Sequence, residues 1–388
     1  MNRFINTIKR EISKIKSNKF LMVMLFIAPI VFSIVVIWTF SAGIPKNLPI
    51  AVLDLDNSDI TRTITRAIDS TPSAKVRYKV ENYNQGYDLI KEGKVYAIIV
   101  YPKDFKKDLN RNNTPQIVYY YNNQMILIGS IITKDIQSTV MTLTKSVDAQ
   151  IRMKKGLAKD PTLSKINLIR VDEKIKSNPY LNYSYFLSYA AVAHVFQIFA
   201  VLLAVWTLGI EFKEGTTKEW LKEADNSIIS AAFGKLSVYL ILLLIQMFIV
   251  YGGYVIIYGA PFEGNILFTI FSSGIFLLAY QLMGLAFVAV LSNLRFAMSV
   301  GAFYTSLGFS LAGMTFPNMG MPLFTRFYSS LLPVRPYVNL LIDQAMKGFM
   351  LKYDLIYLFW IMAIGLLGTM FVPLLKKHAN NEDLWYQI

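Results

Sequence analysis

Six stretches of the chain are apolar over about twenty residues, the length that an α-helix needs to cross a bilayer. They cover residues 20–40, 186–210, 236–258, 266–291, 296–316 and 355–375. The first follows a basic segment, as the core of a secretory signal does, but it is too long and no small-residue cleavage site stands before Pro45. The pattern therefore predicts an α-helical integral membrane protein with six transmembrane helices, the first at 20–41 and the other five within 186–375.

Residues 45–182 follow a different pattern, polar overall and broken by short apolar runs. The predicted elements are strands at 50–53, 97–100 and 116–121, helices at 60–68 and 87–90, and a longer helix at 125–155. Because strands that alternate with helices are typical of an α/β fold, we expect an α/β domain inserted between the first and second spans.

Lys and Arg residues near the ends of the spans predict the orientation of the chain. Six of them precede residue 20, Arg295 lies between the fourth and fifth spans, and Lys376 and Lys377 begin the tail at 376–388. With six spans, all these residues lie on one side of the membrane. We therefore expect both termini to be cytoplasmic and the 45–182 domain to be extracytoplasmic.

Residues 1–19 place apolar and basic side chains on opposite faces of a helix. The apolar positions are Phe4, Ile5, Ile8, Ile12 and Ile15. This pattern predicts an amphipathic helix that lies on the inner membrane surface and contacts lipid. A plain basic anchor that only sets the orientation would use the same residues, and the two interpretations are compatible.

Composition agrees with a membrane protein. Hydrophobic residues make up 54% of the chain and charged residues only 16%, whereas soluble domains have roughly 25% charged residues. The formal net charge is +14, but no Lys/Arg run is interleaved with aromatic residues, so nucleic-acid binding is not indicated. With no Cys and only two His, we predict neither a disulfide nor a metal site.

Two motifs that suggest catalysis are incomplete. Asp54 and Asp56 follow a predicted strand, as in haloacid-dehalogenase phosphotransferases, but Ser58 stands where those enzymes have Thr or Val. A strand that ends in a turn, with Ser58 or Asp59 capping the next helix, is the simpler interpretation. The chain also lacks the full GxxxxGK[ST] motif. We therefore predict no catalytic residues and no cofactor bound by this chain.

The predicted cytoplasmic loop at 210–235 carries an unusual mixture of acidic and basic residues. Gly215 and Thr216 provide a break and a cap, and residues 217–224 favour a short helix with Trp220 on one side. A short helix with both signs of charge suits the docking of a soluble protein. An ordinary solvated loop is the alternative.

Apolar residues broken by prolines and charges occupy 317–352. Irregular backbone at membrane depth needs protein or water around it, so a re-entrant element at the outer end of a pathway is one interpretation, and a surface loop is the other. The candidate residues of this outer re-entrant region are Phe316, Pro317, Met321, Pro322 and Pro333. The six spans themselves contain almost no charges, which disfavours an ion-coupled carrier.

Taken in order, these motifs resemble those of the permease subunit of type-2 ATP-binding-cassette exporters, in the branch with a large extracytoplasmic domain after the first span. The D-x-D-x-S turn of that branch matches within 49–66. Its later motifs match at Leu89, Gly93, Pro102 and Phe105, at Glu211, Gly215, Thr216, Gly234 and Lys235, and at Phe316, Pro317, Met321, Pro322 and Pro333. Where the branch has a second glutamate in the loop, this chain has Lys213, with Glu214 beside it.

The resemblance implies a six-span permease, not itself an enzyme, that works as a homodimer or with a related second permease. Separate ATP-binding-cassette ATPase subunits would bind ATP and Mg, and a periplasmic adaptor is a compatible further partner. The residues that would couple to the ATPase are Glu211, Glu214, Gly215, Thr216, Glu219, Trp220 and Lys235. We expect a bacterial plasma (inner) membrane exporter of drug-like molecules, lipids or glycans. A membrane-anchored receptor or assembly scaffold that uses its extracytoplasmic domain is the alternative.

Overall fold

The computed structural model describes residues 2–111, 113, 115–122, 126–154, 182–291, 293–313, 320–382 and 385. The chain divides into two compact units. The helical unit comprises Met1–Gly43 and Ile175–Ile388, and the sheet unit comprises Ile44–Lys174. The sheet unit thus falls between the first and second predicted spans along the chain.

Helices dominate the described residues. In chain order they are α1 Asn2–Ser17, α2 Lys19–Met22, α3 Ala28–Phe40, α4 Asp59–Asp69, α5 Tyr83–Lys91, α6 Phe105–Asn110, α7 Ile126–Lys154, α8 Tyr183–Lys213, α9 Thr217–Glu223, α10 Ile228–Tyr258, α11 Ile266–Val290, α12 Leu294–Leu311, α13 Leu323–Ser330, α14 Val334–Ile342, α15 Leu351–Thr369 and α16 Val372–Ala379, with π-helical turns at Val23–Ile27 and Asp343–Lys347. The strands are β1 Leu48–Asp54, β2 Ala74–Lys79, β3 Ala97–Tyr101 and β4 Val118–Tyr121.

Five helical segments of the described residues are long and apolar enough to cross a membrane, and they coincide with the first, second, third, fourth and sixth predicted spans. They are Lys19–Phe40, Tyr183–Lys213, Ile228–Tyr258, Ile266–Val290 and Leu351–Ala379. Helix α12 overlaps the predicted fifth span, but Arg295 and several Ser, Thr and Gly residues lower its hydropathy. The fifth predicted span, and with it the total of six, therefore stays a prediction.

Two of the spans are longer than the hydropathy pattern predicts, and this shortens the loop between them. Helix α8 continues to Lys213 and helix α10 already begins at Ile228. The connection is therefore residues 214–227 rather than 210–235. It contains the short helix α9, close to the predicted bounds of 217–224.

Helix α8 lies at the centre of the helical unit. In its most apolar stretch 78% of the residues are buried, compared with 28% in the corresponding stretch of Leu351–Ala379. Small residues allow its neighbours to approach closely: a Cβ atom on Gly284 of α11 would lie 2.9 Å from both Ala204 Cβ and Val201 O of α8. Because apolar side chains gain little from leaving lipid, such close packing is a main source of helix association in membranes.

The sheet unit has a four-stranded sheet in the order β2-β1-β3-β4. Strand β1 pairs in parallel with β2 and β3, and β4 runs antiparallel to β3. Ile50 and Val52 of β1 pack into a core with residues of α4 and α7, whereas Ala51 and Leu53 pack on the opposite face with residues of α5. This arrangement agrees with the predicted alternation of strands and helices, but the sequence did not predict strand β2.

The turn after β1 uses its acidic residue for local structure. Asp54 Oδ1 accepts hydrogen bonds from the amides of Asp56 and Asn57 at 3.1 and 2.9 Å, and Oδ2 accepts one from Thr61 Oγ1 at 2.7 Å. Ser58 caps α4 by accepting from the amide of Thr61 at 3.2 Å. The predicted strand end and helix cap are confirmed, and both oxygens of the Asp54 carboxylate accept hydrogen bonds within this turn.

We predict that Gly284→Ala destabilises the protein and that Gly274→Ala on the same helix does not. The added methyl group at 284 overlaps α8, and overpacking of this kind costs about 1–3 kcal/mol. At 274 the nearest atom to a new Cβ is Leu244 Cδ2 at 3.6 Å, an ordinary contact, and alanine has the higher helix propensity. Thermal unfolding of the detergent-solubilised variants measures the difference. Equal midpoints for the two variants would contradict the close packing of α8 and α11.

Candidate functional site

Helix α1 packs on the rest of the helical unit through Thr7, Glu11 and Ile15, of which only Ile15 belongs to the predicted apolar stripe. Thr7, Glu11 and Ile15 are 1%, 2% and 5% exposed, and α1 contacts α10. The predicted apolar positions Phe4 and Ile5 remain 38% and 39% exposed. The apolar stripe is therefore divided, because Ile15 is buried against protein whereas Phe4 and Ile5 stay exposed and available to a membrane surface.

Gly234 allows this packing. A Cβ atom at Gly234 would lie 2.8 Å from Thr7 Cβ and 3.4 Å from the carbonyl oxygen of Phe4. Any side chain at position 234 would push α1 away from α10. Gly234 thus allows α1 and α10 to approach each other closely.

Lys235, the residue after Gly234, is fully buried. Lys235 Nζ lies 2.5 Å from Glu211 Oε1 at the end of α8, and it donates a hydrogen bond to the carbonyl oxygen of Thr207 at 2.8 Å. It also lies 3.2 Å from Glu11 Oε2 of α1, as an ion pair. Lys235 therefore joins three helices, α1, α8 and α10, through a single ammonium group.

Glu211 is equally buried and receives further cations from α1. Both terminal nitrogens of Arg10 donate to its two carboxylate oxygens, at 2.8 and 3.0 Å, and Lys14 Nζ donates to Oε1 at 2.8 Å. A two-pronged contact between guanidinium and carboxylate is both strong and geometrically specific. Burial acts to lower the pKa of Arg10, but its hydrogen bond to Glu211 and the nearby carboxylates raise that pKa above its ordinary value.

We call these five residues the ion cluster: Arg10, Glu11, Lys14, Glu211 and Lys235. Glu11 Oε1 also accepts hydrogen bonds from Tyr239 and from Thr207 Oγ1, each at 2.7 Å. Two carboxylates thus face three cations in a setting that is largely shielded from water. Separating such charges without replacing their partners is strongly unfavourable, so the helices that carry them are held together.

The end of α8 places Glu211 next to the turn that begins α9. Gly215 has a φ of +67°, a left-handed conformation that favours glycine, and ends the helix. Thr216 Oγ1 then donates to Glu211 Oε2 at 2.5 Å, and Thr217 Oγ1 donates to the carbonyl oxygen of Glu211 at 3.0 Å. The turn is fixed to the ion cluster through Glu211.

Helix α9 has one buried side and one exposed side. Trp220 is fully buried, donates from Nε1 to the carbonyl oxygen of Ala231 at 3.1 Å, and has the Lys235 ammonium 5.4 Å from its ring centre. The exposed side carries charges of both signs: Lys218, Glu219, Lys222 and Glu223. A partner protein can reach those charges while the opposite side rests on the ion cluster.

Both ends of the chain also contact the α9 region. Arg3 of α1 pairs with Asp225 at 2.7 Å, and Glu382 pairs with Lys218 at 2.5 Å. Trp385 is only 6% exposed, and its ring centre is 5.9 Å from Lys218 Nζ. Exposed ion pairs of this kind contribute little stability, but they orient α9 with respect to α1 and the C-terminal residues.

The residues that the sequence analysis assigned to ATPase coupling fall into a buried group and an exposed group. Glu211, Trp220 and Lys235 are buried, whereas Glu214 and Glu219 are exposed. Only the exposed residues can touch a partner directly, and the buried ones join α9 to the helices beneath it. Gly215 and Thr216 form the connecting turn.

Sequence reasoning missed the partners that α1 supplies. It treated Arg10 and Lys14 as residues that set orientation or meet lipid headgroups, and it gave Glu11 no role. One signal was present, because Glu11 is the one acidic residue among the first 19. Because such a carboxylate can also pair with basic residues of its own helix, it marks a candidate position without identifying the partner.

The outer re-entrant region is described in part. Phe316 and Pro317 lie outside the described residues, Met321 is 8% exposed, and Pro322 and Pro333 precede α13 and α14. Helix α13 exposes large apolar side chains, whereas α14 is mostly buried and packs against α8, α11 and α15. Within the described part of the chain, no three His, Cys, Asp or Glu side chains are grouped so that they could hold a metal ion.

Comparison with known proteins gives a match over most of the chain. A family model described as ABC-2 family transporter protein matches residues 19–372. The chain is 26% identical over 297 residues to the probable multidrug ABC transporter permease YbhS of Escherichia coli strain K12, covering 75% of this chain and 73% of that protein. It is 23% identical over 388 residues to ABC transporter G family member 20 of Dictyostelium discoideum, covering 97% of this chain and 50% of that protein.

We predict that Glu211→Gln destabilises the helical unit strongly. The substitution leaves Arg10, Lys14 and Lys235 with Glu11 as the remaining carboxylate of the ion cluster, and removing one partner of a buried pair costs about 3–5 kcal/mol. The exposed Glu214→Gln is the matched control, with an expected change within about 0.5 kcal/mol. Thermal unfolding in detergent and the yield of folded protein in membranes measure both.

A double variant tests whether the loss arises from unpaired charge. Glu211→Gln combined with Lys235→Met removes one charge of each sign, so its cost is expected to be well below the sum of the two single costs. If the two costs simply add, the ion pair does not account for the effect.

Proposed function

The chain belongs to the ABC-2 family of transporter proteins, and we propose that it is the membrane-spanning permease subunit of an ATP-driven exporter. Members of this family are membrane subunits without catalytic activity of their own, and this chain has several membrane-spanning helices. ATP and Mg would bind to separate ATP-binding-cassette ATPase subunits. The permease would convert their movement into outward passage of a substrate.

The observation that carries this proposal is the position of the ion cluster beneath α9. Helix α9 presents charges of both signs on its exposed side, its buried side reaches Glu211 and Lys235 within a few ångströms, and it also contacts α1. A helix with this arrangement is accessible to a soluble partner and firmly joined to two spans. Those are the two properties that a coupling element requires.

A displacement of α9 would be passed to the spans as a rigid-body movement. Pulling Glu211 away from Lys235 or Arg10 would leave a buried charge without a partner, so the cluster is expected to move as one piece. Helices α8 and α10 would then move together with α1 when the ATPase changes conformation. A change of this kind shifts the permease between two arrangements of its helices.

The docking surface proposed here consists of the exposed side of α9 together with Glu214. Glu214 and Glu219 would contact basic residues of the ATPase, and the neighbouring lysines would contact acidic ones. Complementary charges mainly determine which partner binds and how quickly. Lys213 stands where the resemblance places a second glutamate, so the ATPase partner is expected to carry the matching change.

Orientation and assembly complete the proposal. The exposed apolar residues of α1 support its placement on the inner membrane surface, with both termini cytoplasmic and the sheet unit extracytoplasmic. We infer a multi-pass protein of the bacterial plasma membrane that acts as a homodimer or with a related second permease. A periplasmic adaptor is a further partner to be tested on the sheet unit.

Two observations bear on the substrate class. The Escherichia coli relative is named a probable multidrug permease, and the spans of this chain are apolar with few charges. Drug-like molecules, lipids and glycans are the classes we propose to test, in that order.

Charge reversal at the docking surface tests the ATPase partner. We expect Glu214→Lys with Glu219→Lys to abolish co-purification of a Walker-type ATPase from native membranes, because both contacts become repulsive, while the variant still reaches the membrane. Mass spectrometry of the proteins that accompany the gently solubilised permease measures the loss. Transport of a fluorescent dye in everted vesicles gives a second readout.

The matched control reverses two exposed glutamates of the sheet unit, Glu81→Lys with Glu92→Lys, and should retain the ATPase. If no ATPase accompanies the native protein even after crosslinking, the exporter proposal fails. Capture of envelope proteins alone through the sheet unit would then favour a receptor or scaffold. If the ATPase remains bound and transport is normal in the Glu214 and Glu219 variant, the docking residues are wrong.

A further inference from the structure

A cavity of about 370 Å³ lies between α10 and α11 of the helical unit, and none of its lining residues belongs to the ion cluster. Its inner part is formed by Met247, Tyr251 and Leu341, which are 1%, 8% and 1% exposed. These side chains are largely apolar. The cavity therefore extends from the surface into the packed core between the two spans.

The mouth of the cavity lies on the lipid-facing side of the spans. Phe248, Ile256 and Ile266 line it and are 47%, 84% and 54% exposed. Large apolar side chains that remain exposed on a membrane-spanning helix contact lipid tails. The mouth is thus continuous with the surface that the bilayer covers.

The hydroxyl groups of the lining already have hydrogen-bond acceptors. Tyr189 donates to the carbonyl oxygen of Pro261 at 2.8 Å, and Tyr251 donates to that of Tyr189 at 3.0 Å. Thr269 and Ser273 donate to carbonyl oxygens one helical turn earlier, at 3.0 and 2.6 Å. A ligand would find no uncommitted donor among these groups, so the lining favours a hydrocarbon over a polar or drug-like molecule, which needs a few placed polar groups.

Gly252 keeps the wall of the cavity open. A Cβ atom built at Gly252 meets no other atom within 4 Å, and the residue lines the cavity. Its neighbour Gly253 does not line the cavity, and a Cβ there would meet Ile257 Cδ1 at 3.9 Å. A larger side chain would therefore enter the cavity at position 252 but not at position 253.

We propose that this cavity binds one acyl chain of a membrane phospholipid. The chain enters from the side, through the mouth between Ile256 and Ile266, while its headgroup stays at the membrane surface. The lipid tails and the lining are equally apolar, so transfer out of water does not drive binding. The favourable free energy of binding comes from dispersion contacts that an empty cavity would lack. The bound chain then acts as a filler that keeps α10 and α11 at their observed separation.

Photolabelling of the full-length protein tests this assignment. The protein is reconstituted into phosphatidylethanolamine and phosphatidylglycerol vesicles that contain a phospholipid with a diazirine near the end of one acyl chain. After irradiation, mass spectrometry locates the labelled peptides. We expect label within 244–256 and 266–273 in the native protein and in Gly253→Leu, and about fivefold less in Gly252→Leu, whose side chain fills the cavity.

Both variants are expected to fold, since leucine is a better helix former than glycine. Size-exclusion profiles of the purified variants check that they do. Equal labelling of the Gly252→Leu and Gly253→Leu variants would overturn the proposal. A second arm replaces the lipid probe with a small apolar diazirine compound that has no headgroup. If the cavity peptides react with that compound and not with the lipid probe, the phospholipid assignment is wrong.

Discussion

The burial of one carboxylate, that of Glu211, constrains much of the helical unit. A carboxylate without access to water is tolerated only where cations and hydrogen-bond donors surround it; here the cations come from α1 and α10, and a further donor comes from Thr216 in the turn before α9. Helix α1 must therefore lie against α10, and it can do so because position 234 has no side chain. The turn into α9 depends on the same carboxylate through Thr216 and Thr217. Few apolar contacts could define the relative positions of these four helices so narrowly.

Much of the membrane architecture could be predicted from the sequence, because the thickness of a bilayer imposes a length on apolar segments. The prediction was less accurate at the span ends, where amphipathic turns extend α8 and α10 beyond the apolar core. Strand β1, buried on both faces, gave a continuous apolar run that was easy to recognise. Strand β2 was missed because an edge strand alternates charged and apolar residues, and Lys75, Arg77 and Lys79 resemble a solvated loop.

The site was harder to predict than the fold because charge does not reveal burial. In the sequence, Glu211 and Glu219 are two acidic residues of one loop, and only tertiary packing makes the first internal and the second exposed. Arg10 and Lys14 satisfied the rule for positive residues at the inner surface equally well, so nothing required a partner in the protein. The short helix α9 was predicted because its cap, its apolar side and its length are local properties.

The edges of the sheet also determine how neighbouring molecules behave. Strand β2 forms one edge and presents Arg77 and Lys79 to solvent, while the opposite edge, β4, is only four residues long. Unpaired edges tend to join those of other molecules into continuous sheets, and like charges or short strands prevent this. Proteins confined to a membrane meet each other far more often than proteins in dilute solution. The basic edge therefore disfavours pairing between the sheets of copies that lie in one membrane.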